Sequence, residues 1–377
     1  MRGGNNLAIV LRDAAREIIY TGGTRRPQVF VGALQEDVEA VGGKLDAGHH
    51  PVDSNQHRGP RVTGLGSLPR RVDLYEVGPR DGLQNELRTL PTRDKARLIE
   101  ALIAAGEKRI EVTSFVHPKW IPQLSDAEEL LRLVGRREGV TFSALVPNLK
   151  GLARAKEAGL EEAAIFISAS EAHSHKNINK SIAEAVAEAR QTSEAALKAG
   201  MRVRGYLSTV WGCPYEGEVP VARVVEISRA LISDGIYQLS LGDTIGVGTP
   251  RQTETILSAL LEYVPVESLA LHLHDTRGTA LANALVGLQM GVTTFDASIG
   301  GLGGCPYAPG AAGNLATEDI VYMLHGMGVE TGINLDRLVE AGMVAQELIG
   351  RKLAGKFLQA ALGEREKKAS RRARSPA

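Results

Sequence analysis

The chain has 377 residues, with 44 basic and 44 acidic side chains and no net formal charge, so no chain-wide field is available to hold a nucleic acid or an anionic membrane surface. Hydrophobic residues make up 43% and charged residues 23%, which excludes wholesale disorder and fits either one large α/β barrel or two average domains. Two cysteines without a CxxC pair exclude a disulfide framework and a thiolate zinc site, and no apolar run approaches the roughly 18 residues of a membrane helix.

Residues 1–70 carry scattered Gly, Pro, Asn and His without sustained periodicity. Arg2, Arg12, Arg16, Arg25 and Arg26 suggest an organellar leader, but Asp13 and Glu17 interrupt them, and such leaders are acid-poor. The stretch therefore reads as a loose extension, which favours a cytoplasmic protein over one sent to the mitochondrial matrix.

From Val72 the pattern changes. Short β-branched runs alternate with Ala-rich amphipathic segments: VDLYEVG (72–78), RIEVTSF (109–115), TFSALV (141–146), EAAIFIS (162–168), RVRGYLST (202–209), YQLSLGD (237–243), LALHLHD (269–275) and TTFDASI (293–299). Eight strands starting about 32 residues apart leave room for a crossover helix between each pair. In the clearest helix, Ser181 and Glu184 predict a capping box and Gly200 a stop. Thr92, Ser125 and Thr317 read as further N-caps or first-turn residues.

Eight such units predict a closed (β/α)8 TIM barrel over 71–327, since these barrels need about 250 residues. A doubly wound open sheet is the alternative, but no GxGxxG follows the first strand. A helical elaboration over 328–362 and a solvated basic tail over 363–377 complete the chain.

Side chains at the C-terminal ends of barrel strands face one shared mouth. Strand one ends in EVGPRDGLQNE (76–86), strand two carries Glu111, strand six ends at Asp243, and strand seven carries His272, His274 and Asp275. Histidines two apart on a strand point to one side, so with Asp81 and Asn314 they outline a divalent-cation site. Mixed nitrogen and oxygen donors favour Mg²⁺ or Mn²⁺ over structural zinc. Alone, a short HxH equally reads as polar packing at a strand end. Arg80, beside Asp81, is placed to neutralise a developing oxyanion, while Glu111 reads as a salt-bridge partner orienting Arg80. Cys305 sits in a segment rich in glycine (300–314) that reads either as a mobile lid presenting a thiol or as packing around an inert cysteine. Cys213, in a similar GCPY but without that glycine density, reads as structural.

The ordered set EVGPRDGLQNE, IEVTSFVHPKWIPQ, VPNLKG, KNIN, GCPYEG, SLGDTIGVGTP, HLHDTRG and GLGGCPYAPGAAGNLATEDIVYML resembles the 3-hydroxy-3-methylglutaryl-CoA lyase family, from Val72 to about residue 350. The wider group includes Claisen-type synthases such as isopropylmalate synthase, but the GLGGCPYAPGA loop is similar to the lyase branch. The resemblance implies metal-dependent cleavage of 3-hydroxy-3-methylglutaryl-CoA to acetyl-CoA and acetoacetate, as in leucine breakdown and ketone-body formation. It implies Asp81, His272, His274 and Asn314 as ligands of Mg²⁺ or Mn²⁺, and Arg80 and Gln84 as substrate-binding residues. It further implies catalytic roles for Arg80, Asp81, Glu111, His272 and Cys305, a supporting role for Asp243, an acyl-CoA as partner and, by analogy alone, a homodimer.

Departures from the family pattern are Arg277 and Thr279, where many members have Tyr and Gln, and Leu87, where animal members have a lysine. Arg88 next to it is the nearest replacement charge for CoA. No cysteine lies near the C-terminus, so the thiol-based redox control of animal members is not carried over. A synthase running the bond in the other direction and a catalytically silent scaffold are the competing readings, and a silent descendant would be expected to lack one of the ligands or Cys305.

Overall fold

The computed structural model describes residues 9–13, 16–20, 68–304 and 313–374, and divides into a unit over Met1–Arg61 and one over Val62–Ala377. In the first unit, strands β1 (Ile9–Asp13) and β2 (Arg16–Tyr20) pair antiparallel, with Ile9 opposite Tyr20 and Asp13 opposite Arg16. Aperiodic composition had pointed to no element there.

The second unit is a closed barrel of eight parallel strands: β3 (Asp73–Glu76), β4 (Arg109–Ser114), β5 (Thr141–Leu145), β6 (Glu162–Ser168), β7 (Arg202–Ser208), β8 (Gln238–Asp243), β9 (Leu269–Leu273) and β10 (Thr294–Ala297). β10 closes onto β3, with Thr294 opposite Asp73 and Ala297 opposite Glu76, so the doubly wound alternative is excluded. All eight predicted strands are present within two or three residues of their expected ends. Outward positions such as Ile110, Val112, Ile165, Val203, Leu239 and Leu271 are fully or nearly fully buried under the helices. At about 25 cal/mol per Å² of apolar area, these aliphatic contacts are the main stabilising term.

The helices between strands are α1 (Thr92–Ala105), α2 (Ala127–Val134), α3 (Leu149–Glu157), α4 (Glu171–Ile178), α5 (Ile182–Lys198), α6 (Val221–Ser233), α7 (Pro250–Leu261) and α8 (Ala280–Gln289), followed by α9 (Thr317–Gly326), α10 (Leu335–Ile349) and α11 (Lys356–Arg374). Ser181 caps α5 with the full capping box, its hydroxyl accepting from Glu184 N at 3.2 Å and the Glu184 carboxylate accepting from Ser181 N at 2.8 Å. Thr92 and Thr317 are the first residues of their helices. Ser125 is not a cap: a 3₁₀ turn (Pro122–Leu124) intervenes, Ser125 donates to Pro122 O at 2.9 Å, and Asp126 precedes α2.

Beyond the barrel, α10 packs on α1 and α11 on α9. The Asp319 carboxylate accepts from Lys356 N at 3.0 Å and Phe357 N at 2.6 Å, capping α11 from a neighbouring helix. The basic stretch is helical as far as Arg374, with residues 363–368 exposed.

Barrel interiors are usually filled by branched aliphatic side chains. Here Tyr75, Glu111, Ser143, Glu162, Arg204, Tyr206, Gln238, Ser240 and Asp296 are buried among the strands and bonded to one another or to the strand ends. This polar interior is the floor of the site.

Candidate active site

EVGPRDG turns sharply at the end of β3. Gly82 N reaches back to Val77 O at 3.2 Å, a wide π-type turn over Gly78–Gly82, and a 3₁₀ turn follows over Leu83–Asn85. The extra residue in the turn packs Arg80 and Asp81 over the barrel instead of leaving them at the surface: they are 6% and 9% exposed. Arg80 donates through Nε to Glu111 Oε2 at 2.6 Å and through Nη1 to Asp81 Oδ1 at 2.7 Å. Its guanidinium also lies 5.3 Å from the centre of the Tyr206 ring, and the Tyr206 hydroxyl donates to Glu111 Oε2 at 2.9 Å. Burial opposes the Arg80 charge, but Glu111 and Asp81 outweigh it and hold the guanidinium above the ordinary arginine pKa. Glu111 itself is pushed up by burial, against the pull of Arg80, and its Oε1 has no hydrogen-bond partner among the described residues.

Asp81 is the hub. Its Oδ1 accepts from Arg80 and from Gln84 Nε2 at 2.6 Å, and its Oδ2 accepts from Asn314 Nδ2 at 2.8 Å and lies 3.8 Å from His272 Nε2. Burial alone would raise its pKa, but Arg80, His272 and His274 together hold it down at about 2. His272 and His274 follow on β9 and just beyond it, with Nε2 atoms 3.3 Å apart. Burial and the neighbouring His272 push His274 down to about 4, so at neutral pH its ring is an uncharged electron-pair donor. Asn314 pairs with His274 across an isolated bridge and also donates to Leu302 O at 3.0 Å. Gly303, at φ +118°, lets it fit: a Cβ there would stand 2.6 Å from Asn314 Nδ2.

One ligand atom from each of Asp81, His272 and His274 lies within 4.8 Å of the others. Two imidazole Nε2 atoms and a carboxylate oxygen converge on one point, a mixed set of nitrogen and oxygen donors of the kind that holds a cation. A divalent cation satisfies all three.

Asp243 spends its carboxylate on the loop after β8, accepting from Val247 N at 2.9 Å and Gly248 N at 2.8 Å, and burial raises its pKa. Cys305 lies outside the described residues. Cys213 is buried and accepts from Ser170 Oγ at 2.8 Å, a packing role. Arg277 donates to Ile245 O and Gly246 O, both at 3.0 Å, and Thr279 to Gly248 O at 2.9 Å, so these departures tie the loop after β9 to the loop after β8.

Sequence reading missed Tyr206, Asp296, Arg204 and Ser240. Asp296 accepts from Arg204 Nη2 at 2.6 Å and Ser240 Oγ at 2.7 Å, and contacts His272 Nδ1 at 3.2 Å. The available signal was a charged residue inside an apolar strand (RVRGYLS, TFDA), where an unpaired charge is costly.

The HMGL-like family profile matches residues 71–344. The hydroxymethylglutaryl-CoA lyase of Bacillus subtilis strain 168 is 54% identical over 291 residues, covering 77% of this chain and 97% of its own. The mitochondrial hydroxymethylglutaryl-CoA lyase of Bos taurus is 51% identical over 303 residues, covering 80% of this chain and 93% of its own. An HMG-CoA lyase from Acinetobacter baumannii, solved in complex with coenzyme A and 3-methylmalate, superposes with a TM-score of 0.74 at 38% identity, covering 77% of this chain and 95% of that one. With a barrel of this topology, the Arg80–Asp81 turn and the paired histidines in place, the chain belongs to the hydroxymethylglutaryl-CoA lyase family.

Proposed function

We infer that the protein is a carbon–carbon lyase that cleaves 3-hydroxy-3-methylglutaryl-CoA to acetyl-CoA and acetoacetate. The convergence of Asp81, His272 and His274 beneath the buried Arg80 carries this reading. It is supported by identities of about half with lyases of this name and by a relative solved with coenzyme A. The residues fit Mg²⁺ or Mn²⁺, held by Asp81, His272 and His274 with Asn314 beside them; when bound, the cation would draw electron density from the substrate's tertiary hydroxyl and make its proton easier to remove.

Asp81, which lines the point of convergence and keeps a second carboxylate oxygen, takes that proton, while the single lone pair of His272 would be committed to the cation. The C–O bond becomes a ketone, the neighbouring C–C bond breaks, and its electron pair passes to the thioester half as the acetyl-CoA enolate. Arg80, fixed by Glu111 and Asp81, presents its positive charge to the enolate oxygen; a preorganised charge of this kind contributes about 2–4 kcal/mol. Gln84, on the 3₁₀ turn that follows, steadies Asp81 and faces the substrate. Cys305 donates the proton that converts the enolate methylene to methyl, closing the balance with one proton removed and one returned. Asp243 supports the site from the adjoining loop. Leucine breakdown and ketone-body formation are the settings in which this cleavage serves.

A coupled assay for acetoacetate, run beside one for thiol release from acetyl-CoA plus a keto acid, separates the lyase from a synthase. Acetoacetate formation that requires added Mg²⁺ or Mn²⁺ and disappears in His274→Ala with the fold intact is the expected result. Thiol release without acetoacetate would overturn it, and no activity on any acyl-CoA would favour a silent scaffold.

A further inference from the structure

The floor of the site contains a buried chain of polar groups running away from the cation-binding point. Arg204 on β7 and Asp296 on β10 face each other across the barrel, both fully or nearly fully buried. Arg204 reaches Asp296 Oδ1 through Nη2 at 2.6 Å and Oδ2 through Nη1 at 3.3 Å. Arg204 Nε is held in turn by Gln238 Oε1 at 3.0 Å, and Gln238 by Thr294 Oγ1 at 3.0 Å. Ser240 donates a further hydrogen bond to Asp296 Oδ2 at 2.7 Å. The same Oδ2 meets His272 Nδ1 at 3.2 Å, and Asp296 sits opposite His272 in the β9–β10 register.

We propose that Asp296, fixed by Arg204 and Ser240, is the positioning residue for His272, holding its imidazole in the tautomer and rotation that turn Nε2 toward Asp81 and His274. The argument is one of hydrogen counting. Both Asp296 oxygens accept from the Arg204 guanidinium, Oδ1 from Nη2 at 2.6 Å and Oδ2 from Nη1 at 3.3 Å, and Oδ2 also accepts from Ser240 Oγ, which is the pairing of a carboxylate. A carboxylate only accepts, so the hydrogen in the Oδ2–Nδ1 contact belongs to His272 Nδ1. In the neutral ring Nε2 is then bare, and it is the Nε2 atom that lies 3.8 Å from Asp81 Oδ2 and 3.3 Å from His274 Nε2. Outer partners of this kind commonly set ligand orientation, and their loss costs about 10–100-fold in metal affinity. His274 has no such partner: its Nδ1 is buried without a hydrogen bond among the described residues. The two imidazoles are therefore unequal: His272 is held from behind through Nδ1, and His274 Nδ1 has no such partner among the described residues. This deepens the functional reading above, on which it rests for the cation.

The test uses the full-length, metal-free enzyme labelled with ¹⁵N-histidine, with the His272 resonances assigned by comparison with His272→Asn. The expected spectrum places the hydrogen on His272 Nδ1 and leaves Nε2 bare; a predominant Nε2–H form overturns the proposal. Mn²⁺ binding, read from the free-ion electron paramagnetic resonance signal, is expected to weaken about 10–100-fold in Asp296→Asn with circular dichroism unchanged. A folded Asp296→Asn that binds Mn²⁺ as tightly as the parent sinks the idea. Should Arg204, left without its counter-charge, prevent that variant from folding, Ser240→Ala removes one bond to Asp296 and is expected to weaken Mn²⁺ binding several-fold; unchanged affinity there overturns it too. If the parent enzyme takes up no Mn²⁺ at all, the cation reading fails, while the tautomer spectrum still decides the positioning role.

Discussion

Replacing Glu318 with glutamine should flatten the dependence of stability on pH. Glu318 opens α9 and is fully buried, together with Glu76 and Glu107. Glu76 is well provided for, accepting from Gly78 N at 2.7 Å, Ile299 N at 2.9 Å and Thr317 Oγ1 at 2.7 Å. Glu318 Oε2 accepts from Gly300 N at 2.8 Å, but its Oε1 has no hydrogen-bond partner among the described residues. The close approach of α10 keeps that oxygen dry: a Cβ on Gly342 would stand 2.8 Å from it. Burial therefore drives the Glu318 carboxyl from 4.5 up to about 8, with the Glu76 and Asp319 charges adding to the effect of burial against the pull of its backbone bonds. A carboxyl raised in the folded state contributes its full stability below its unfolded value. That contribution fades as pH climbs from about 4.5 to about 8 and is gone above that. At about 1.4 kcal/mol per pH unit, the loss approaches about 5 kcal/mol by pH 9. Glutamine keeps the shape and the acceptor for Gly300 N but cannot ionise. Urea unfolding followed by circular dichroism at pH 5 and pH 9 should show Glu318→Gln gaining on the parent by several kcal/mol between the two. An equal difference at both pH values would falsify the assignment of a neutral Glu318.

Two further substitutions probe other layers of the molecule. Arg80→Gln should lower kcat about 10²–10³-fold, from the 2.7–4 kcal/mol typical of one preorganised donor, while Mn²⁺ titration stays close to that of the parent; near-normal turnover refutes the role given to Arg80. Ser181→Ala removes one half of the capping box of α5 and should cost about 1 kcal/mol, read as a lowered urea midpoint with an unchanged slope; no shift in the midpoint would show the cap to be dispensable.

The strands were legible because buried parallel strands write themselves as short β-branched runs, and turn residues mark both ends of each. The capping box at Ser181 and Glu184 was legible for a similar reason, since both partners lie within one turn of chain. His272 and His274 could be placed on one face from their spacing alone, and the quoted motifs named the family. What sequence order could not supply was distance between residues far apart in the chain. Asn314 meets Asp81 across 233 positions, and Arg204 meets Asp296 across 92. Ser125 is not the cap of α2 because it closes the preceding 3₁₀ turn and leaves the N-cap to Asp126, and the Asp243 carboxylate takes its own loop's N–H groups. Arg204 and Tyr206, two apart on β7, share one side of the strand, and only closure of the barrel makes that side the inside. Once closed, a dry interior obliges every charge in it to find a partner. By itself, then, the sequence determined the eight-unit barrel and the residues that ring its mouth. The tertiary structure decided which of them meet, that Glu318 is buried with one carboxylate oxygen unpaired among the described residues, and that His272 is held from behind by Asp296.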